Sequence, residues 1–400
     1  MRFASGIMSP NHVRPFFALI CAAMAVTFSQ GLMIPWMASV QGGHISPLMN
    51  GLSTSDTYAG LLVAMVFVRR LAQRMGLRSL LVGALTVGIL TILAFALVRS
   101  AHGWLLLRFL FGMSLGAVHY GTQSWIGRLT TQEHRGKQMA LYGLATGIGF
   151  ALGPLFLPTG KLAAWLPFLL SAITFAISLV LVMRLSPAVE QKSTAPSVGF
   201  IRTGPIYKAA LPALAFPLVF GFMESALNGD LPLFAQRVHM SLGVVSASLA
   251  AFVIGSLLFQ FPLGYLSDHL SRKVVLLGCS VVGVVLFALL PSAAGRTALF
   301  VTLCFVVGAF VDTLFSFSLG YLADLVEPAS LPVANQWAVT NLGVGLMVGS
   351  TVGGLTMTWF GPGGLFWTIS LLYLLHVGLS VAWKPPFKAT VLPQSTHQDM

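Results

Sequence analysis

The chain has 400 residues, of which 56% are hydrophobic and only 8% are charged, and its formal net charge is +12. A soluble domain carries roughly a quarter charged residues, so this composition excludes an ordinary soluble globular protein. A basic excess can indicate nucleic-acid binding, but no basic stretch is interleaved with aromatic residues, and we expect no nucleic-acid partner.

Long apolar runs recur along the chain, and several are long enough to cross a bilayer as a helix. The runs are continuous rather than alternating, which favours helices over a β-barrel. We therefore predict an all-α polytopic membrane protein, with the lipid bilayer as a partner. About twelve transmembrane helices are expected, at roughly 14–39, 50–68, 79–99, 104–127, 138–158, 162–183, 209–234, 243–265, 273–291, 298–322, 333–357 and 361–382.

The first predicted span follows a short basic N-terminus, which would also suit a secretory signal peptide. The apolar stretch continues to Met37, so we expect a retained first helix. The three cysteines lie inside apolar runs without the spacing of a disulfide framework or a metal site, and we predict no metal and no cofactor. These cysteines are Cys21, Cys279 and Cys304.

The second predicted span is unusual because its strongly apolar part runs only from Tyr58 to Val68. Such a helix would rise about 16 Å, short of the roughly 30 Å hydrocarbon core. Either the span is truncated, or it starts near Leu48 and has a polar outer half. The equivalent stretch of the second half has a similar length, which favours the second interpretation.

Basic residues concentrate on one side of the predicted spans, which predicts that both termini are cytoplasmic and supports an even number of spans. On this side lie Arg2, Arg14, Arg69, Arg70, Arg74, Arg78, Arg128, Arg135, Lys137, Arg184, Lys192, Arg202, Lys208, Arg272, Lys273, Lys384 and Lys388. On the other side lie Arg99, Lys161, Arg237 and Arg296. We expect a monomer in a bacterial inner (plasma) membrane.

The two halves of the chain repeat each other, because four pairs of glycines are each separated by 196 residues. The pairs are Gly112 and Gly308, Gly147 and Gly343, Gly149 and Gly345, and Gly153 and Gly349. We predict an N-terminal six-helix bundle at 1–185, a central cytoplasmic linker at 186–208, a C-terminal six-helix bundle at 209–384 and a cytoplasmic tail at 385–400. Two pseudo-symmetric six-helix bundles are typical of a transporter.

The sharpest local motif is Gly264-Tyr-Leu-Ser-Asp268-His-Leu-Ser-Arg272-Lys273, in a short loop after the eighth span. It resembles the G-x-L-x-D-R-x-G-R-[KR] loop of the major facilitator superfamily, with departures at His269 and Ser271. The resemblance implies a gating loop, in which Gly264 permits close helix approach and Asp268, with Arg272, closes the inner side of the outward-open state. The alternative is an ordinary positively charged loop.

The matching loop of the first half is degraded, since Arg69 and Gln73 stand where the motif has Gly and Asp. Within the superfamily, the segments Gln260-Phe-Pro262-Leu-Gly264 and Asn335-Gln336 are similar to small bacterial permeases of drug-efflux-like or unassigned type, the YcaD-like branch. The resemblance to the superfamily extends over nearly the whole chain.

Two helix motifs also resemble elements of the superfamily. Arg108, Gly112 and Gly116 match an R-x-x-x-G-x-x-x-G element associated with proton coupling. Arg108 has such a role or else snorkels to the outer interface. The segment Gly149-Phe-Ala-Leu-Gly153-Pro154 resembles the antiporter motif of drug–proton exchangers, or is only a packing and bending element.

Polar residues deep inside the predicted spans are the candidates for proton coupling and substrate binding. The superfamily lines its cavity with the first, fourth, seventh and tenth helices, so the resemblance implies that certain polar residues are neighbours. These residues are Gln30, His119, Gln123, Glu224, Asn228 and Asp312. Glu224 is the preferred proton carrier, whereas His119 is favoured as a hydrogen-bonded bundle residue and Asp230 can simply lie at the outer water boundary.

Catalytic and nucleotide-binding signatures are missing, so we do not predict an enzyme. The resemblance implies a secondary active transporter of a small-molecule substrate by alternating access, coupled to protons or another ion, with efflux favoured. The alternatives are a membrane sensor or scaffold that no longer transports, and an uptake permease for a small metabolite. The degraded loop and the unusual second span favour the sensor or scaffold.

Overall fold

A computed structural model describes residues 10–41, 45–98, 100–129, 135–185, 207–327 and 330–383. The predicted tail at 385–400 and most of the predicted linker, at 186–206, lie outside these residues. The described end of the linker, Tyr207 and Lys208, is helical and contacts the second half: the Tyr207 hydroxyl accepts a hydrogen bond from Asn341 Nδ2 at 3.1 Å.

The described residues form twelve long helices, which confirms the predicted all-α class. Eleven of them are long and apolar enough to span a membrane. The twelfth is α4, which contains Arg108 and His119. The helices are α1 Pro10–Gln41, α2 Pro47–Met75, α3 Leu77–Leu97, α4 Ala101–Leu129, α5 Arg135–Leu155, α6 Leu166–Met183, α7 Leu211–Arg237, α8 Leu242–His269, α9 Arg272–Leu289, α10 Thr297–Leu325, α11 Leu331–Phe360 and α12 Gly364–Ala382.

The second helix is full length. It begins at Pro47, which suits the first helical turn because proline lacks an N–H that would be unpaired there. The Ser46 side chain caps this end by accepting a hydrogen bond from the Met49 backbone N–H at 3.3 Å. The helix ends at Met75, followed by Gly76 with φ of 85°, a conformation that favours glycine. The prediction that the second span is complete rather than truncated is therefore confirmed.

The contacts between helices show that successive long helices run in opposite directions, so α1 begins and α12 ends on the same side of the molecule. We call this the terminal side and the opposite side the far side. Helices α1–α6 form one half and α7–α12 the other. In the first half α1 packs on α5 and α2 on α4, and in the second half α7 packs on α11 and α8 on α10. The halves meet through α2 with α11, α5 with α8 and α1 with α7.

The glycine repeat corresponds to repeated helix contacts. A Cβ at Gly112 of α4 would meet the Thr57 carbonyl of α2, and a Cβ at Gly308 of α10 would meet the Phe252 carbonyl of α8. Thr57 and Phe252 are 195 residues apart, almost the separation of the two glycines. Without a hydrophobic force between helices in lipid, such close backbone approach is a main source of helix association.

The same symmetry relates contacts between the halves. Gly147 of α5 lies against the Leu257 side chain of α8, and Gly343 of α11 lies against the Leu62 side chain of α2. Leu62 and Leu257 are again 195 residues apart. The two halves are therefore copies of one design at the level of single contacts.

Candidate functional site

A cavity of about 510 Å³ lies between the two halves. Its lining comes from α1, α4, α5, α7, α8 and α10, so the predicted set of four helices is extended by α5 and α8. The polar lining residues are Thr27, His119, Gln123, Tyr142, Thr146, Glu224, Asn228, Ser256, Gln260, Asp312, Thr313 and Ser316. Phenylalanine side chains also line the cavity: Phe150, Phe220, Phe252 and Phe315.

The cavity faces the terminal side. Gln123 and Ser316, which line it, are exposed and lie in the halves of α4 and α10 nearest that side. Gly143, near the terminal-side end of α5, also lines the cavity, and a Cβ placed there would meet no atom within 4 Å. The helices therefore diverge towards the terminal side.

Glu224 and Asp312 lie near the middle of α7 and α10, and both line the cavity. They are close enough to interact electrostatically. No lysine or arginine occurs among the described lining residues, so neither carboxyl has a permanently charged cationic partner in the described part of this cavity. Asn228 lies one turn after Glu224, and its Nδ2 donates a hydrogen bond to the Glu224 backbone carbonyl at 2.9 Å.

The backbone of α10 is locally widened at the acidic position. A π-helical turn runs over Gly308–Asp312 and ends at the carboxyl residue itself. Single π turns inside α-helices are frequent at functional sites because they break the regular hydrogen-bond ladder and redirect side chains. Asp312 is thus set apart both by its charge and by its backbone.

His119 and Gln30 form a polar pair on the first half. The His119 Nε2 atom lies 3.0 Å from Gln30 Oε1, within hydrogen-bond distance. His119 lines the cavity and is half-buried, so it is a hydrogen-bonded bundle residue that also faces the cavity. Gln123, one turn further on α4, is exposed to the cavity.

The sequence analysis did not identify Tyr142 and Thr146 on α5 or Ser256 and Gln260 on α8 as cavity residues. Each pair is spaced by four residues, so each forms a polar stripe on one helix face. That spacing inside an apolar span is the signal that could have found them.

Arg108 does not line the cavity. It is fully buried near the far-side end of α4, and so it does not snorkel to the interface. Its guanidinium donates hydrogen bonds from Nη1 to Thr54 Oγ1 at 3.1 Å and from Nη2 to Gln41 Oε1 at 3.0 Å. Asp230 is also fully buried on this side rather than at a water boundary.

On the far side the halves are in close contact along α2, α7 and α11, and we call this region the far-side seal. A Cβ at Gly51 of α2 would meet the Ser350 backbone of α11, and a Cβ at Gly354 would meet Pro47. The hydroxyls of Ser55 and Thr351 are 2.7 Å apart across this interface. The far-side seal is therefore a packed interface between the halves.

The gating-loop motif lies at the terminal-side ends of α8 and α9. The side chain of Asp268 lies outside the described part of the structure. Arg272 forms an ion pair with Asp324 of α10 at 2.7 Å and also donates to the Gly320 carbonyl at 3.0 Å. Lys273 Nζ lies 5.9 Å from the centre of the Trp383 ring.

Gly264 makes no close helix contact in this conformation, so its expected role in close helix approach stays a prediction for the state in which the terminal side is closed. A Cβ at Gly264 would meet no atom within 4 Å, because the helices separate on the terminal side. The other predicted packing glycines do lie at close contacts: Gly112 and Gly116 against α2, and Gly149 and Gly153 against α1. Pro154 lies one residue before the end of α5, and its carbonyl accepts a hydrogen bond from Ser246 Oγ of α8 at 2.7 Å.

The sequence profile of the Major Facilitator Superfamily matches this chain twice, over residues 16–216 and 213–397. The chain belongs to the major facilitator superfamily. The two matches correspond to the two six-helix halves, and the family assigns the chain as an integral membrane transporter of a small-molecule substrate rather than an enzyme.

Bacterial relatives support the membership in this superfamily. The chain is 32% identical to the uncharacterized MFS-type transporter YfkF of Bacillus subtilis (strain 168), over 92% of this chain and 97% of the relative. It is 26% identical to the uncharacterized MFS-type transporter YcaD of Salmonella enteritidis PT4, over 91% and 95% of the two chains. The predicted similarity to the YcaD-like branch is therefore confirmed.

Solved structures share the fold. The nucleoside transporter NupG superposes with a TM-score of 0.73 at 14% identity, over 93% of this chain and 99% of that chain. A bacterial homologue of the human lysosomal transporter Spinster, in an inward-facing and unoccupied conformation, gives a TM-score of 0.71 at 13% identity, over 93% and 95%. At these identities the likeness concerns the fold alone.

Proposed function

We propose that this superfamily member is a proton-coupled efflux transporter, with Glu224 and Asp312 as its proton-carrying carboxyls. The observation that carries the proposal is the position of both groups in one cavity, without a lysine or arginine in its described lining. A buried carboxylate without a positive partner is costly, so each carboxyl is stabilised by taking up a proton or by binding a cationic group.

A cation and a proton would compete for these carboxyls. The aromatic lining, including Phe220 and Phe252, favours an amphiphilic substrate, and a cationic group over such rings is attracted by their faces. A cavity of about 510 Å³ suits a drug-sized molecule. Release of the substrate on the far side would then be driven by protons that enter from that side.

The closed far side and the cavity facing the terminal side correspond to one state of alternating access. We assign the terminal side to the cytoplasm because basic residues concentrate there, and we place the protein in a bacterial plasma membrane as a monomer. In the other state the far-side seal opens and the terminal-side ends of α4 and α10 approach each other. The gating loop, with Asp268 and Arg272, would close the terminal side in that state.

The test begins with the substrate. A deletion strain screened for growth against toxic compounds identifies candidates, and the purified protein in proteoliposomes then measures transport with and without an imposed pH gradient. We expect Glu224→Gln to abolish gradient-driven accumulation while substrate exchange continues, because the neutral amide cannot cycle a proton.

The matched control is Glu327→Gln, the same change at an exposed position outside the cavity, which should leave both activities intact. If the Glu224→Gln variant still concentrates substrate against a gradient, Glu224 is not the coupling acid.

A sensor or scaffold that does not transport is the second candidate. One of the two features that favoured it was the unusual second span, and α2 is a complete helix. The other feature, the degraded loop of the first half, remains. A protein that neither exchanges nor accumulates any compound of the screen would support this candidate.

A further inference from the structure

Asp230 is an acidic residue that the cavity does not use. It lies on α7 inside the far-side seal, and 0% of its surface is accessible to solvent. It is absent from the lining of the cavity that contains Glu224 and Asp312. Such a buried ionisable group inside a membrane protein needs a reason.

The contacts of Asp230 come from both halves of the molecule. Asn50 of α2 donates from Nδ2 to Asp230 Oδ1 at 3.2 Å and to the Gly229 carbonyl at 2.9 Å. Ser350 of α11 lies beside the carboxyl. The other carboxyl oxygen, Oδ2, has no hydrogen-bond donor among the described residues.

The positive charge nearest to this carboxyl is held at a distance. Arg108 interacts electrostatically with Asp230 but directs its guanidinium to Gln41 and Thr54, which are neutral. In the described part of the chain, the single ion pair within 4.0 Å is Arg272–Asp324, on the opposite side of the molecule. Asp56 and Tyr58 of α2 are the other ionisable groups that interact with Arg108, and α11 has no charged residue.

These contacts suit a protonated carboxyl. One oxygen accepts from the Asn50 amide, and the second oxygen, carrying the proton, can donate to the Ser350 hydroxyl beside it. An ionised carboxylate in the same place could also accept from the Ser350 hydroxyl, but its charge would have no contacting cation among the described residues, which is strongly unfavourable in a buried site.

Opening of the far side changes these surroundings completely. Asn50 belongs to the first half, whereas Asp230 and Ser350 belong to the second, so the Asn50 hydrogen bonds break when the halves part. The bonds of Arg108 to Gln41 and Thr54 lie within the first half and persist. Asp230 would then face water on the far side, where a carboxyl readily ionises.

We propose that Asp230 is a second proton-binding site, separate from the cavity, whose protonation closes the far-side seal. A proton that reaches Asp230 from the far side and binds it therefore favours the state in which the far side is closed. The site rests on the alternating access of the proposed function but not on the roles of Glu224 and Asp312.

The test measures the far-side distance by spin labelling of the full-length protein in lipid nanodiscs. Leu162 and Arg296 are exposed on far-side loops of the two halves and are changed to cysteine for the labels, after Cys21, Cys279 and Cys304 are replaced by serine. Glu224→Gln and Asp312→Asn are included so that the cavity carboxyls do not titrate.

In this background we expect the far-closed state to dominate at low pH and the far-open state to gain as pH rises, by at most about tenfold per pH unit for one proton. Asp230→Asn mimics the protonated carboxyl and should keep the far side closed at every pH. Asp56→Asn, on α2, is the control and should retain the pH response.

A second variant guards against misfolding of the first. Asn50→Ala leaves Asp230 in place and should lower the ratio of the closed to the open state by about two- to tenfold at every pH while the slope with pH persists, since only hydrogen bonds are removed. The proposal is overturned if the Asp230→Asn variant shows the same change of far-side distance with pH as the background protein that retains Asp230. It is also overturned if that background protein shows no change with pH. The outcome of the Glu224→Gln transport assay does not affect this measurement, so the two proposals fail separately.

Discussion

The far-side seal lies along α2, α7 and α11, whereas the described lining of the terminal-side cavity comes from α1, α4, α5, α7, α8 and α10. The two regions share α7 but are built in opposite ways. In the seal, glycines such as Gly51 and Gly354 bring the backbones of the two halves together, and hydroxyl and amide groups join them. In the cavity, the carboxyls of Glu224 and Asp312 face open space with no lysine or arginine in the described lining. The far-side seal is therefore an assembled interface between the halves, whereas the cavity holds polar groups that are available to bind a substrate or a proton.

The largest expected effect concerns the glycines that hold each half together. Gly112→Ala and Gly308→Ala each place a Cβ against a carbonyl of the neighbouring helix, at Thr57 and Phe252. Overpacking of this kind costs about 1–3 kcal/mol, although alanine returns about 1 kcal/mol of helix propensity. We expect both variants to lower the thermal unfolding midpoint of the detergent-solubilised protein.

The matched controls are Gly83→Ala and Gly278→Ala, equivalent positions of α3 and α9 where a Cβ would meet no atom within 4 Å. They should leave the midpoint unchanged or raise it slightly. Equal losses in all four variants would show that the close contacts do not stabilise the halves.

A smaller effect separates bonds across the far-side seal from bonds beside it. Ser55 bonds Thr351 of the second half, whereas Ser53, two residues earlier, bonds Gln41 of its own half. Loss of one hydrogen bond is worth about 0.5–1.5 kcal/mol, so Ser55→Ala should raise the far-open population by about two- to tenfold. Ser53→Ala should leave it unchanged, and the distance between far-side spin labels provides the measurement. An equal response of the two variants would contradict the assignment of the interface.

The smallest effect is expected at the exposed ion pair of the terminal side. Arg272 and Asp324 are 2.7 Å apart, but their side chains are 36% and 51% exposed. Exposed pairs contribute about 0–1 kcal/mol, so Arg272→Ala should change the unfolding midpoint by little. The charge-reversed double variant, Arg272→Asp with Asp324→Arg, should restore any loss. A large unrescued loss would mean that Arg272 acts through other groups.

Much of the fold could be predicted from the sequence because lipid leaves few choices. Continuous apolar runs predict helices, and the glycine spacing predicts two matching halves. The repeat was nevertheless incomplete: Gly60 and Gly255 form another matched pair, each against the α4 or α10 backbone, but they are separated by 195 residues rather than 196. A single fixed offset misses such a pair because loops in the two halves differ in length.

The candidate site could be predicted only in part. Glu224 and Asp312 stand out because carboxyls are rare in membrane helices. The position of Arg108 could not be predicted, because a helix end near an interface also allows snorkelling, and only the packing of α2 against α4 reveals full burial. Open space at Gly264 was equally hidden, since a sequence motif does not specify which conformation the protein adopts.

The most direct test of the account compares the access of a thiol reagent to the two regions from each side of the membrane. Ser316→Cys places a thiol in the cavity, and Ser53→Cys places one at a buried position of α2 beside the far-side seal, both in a protein otherwise free of cysteine. A membrane-impermeant maleimide is added to sealed vesicles of both orientations, which are distinguished by a protease-sensitive tag on the C-terminus. We predict fast labelling of Ser316→Cys from the terminal side and protection of Ser53→Cys from the far side. Fast far-side labelling of Ser53→Cys, with protection of Ser316→Cys from the terminal side, would contradict the account.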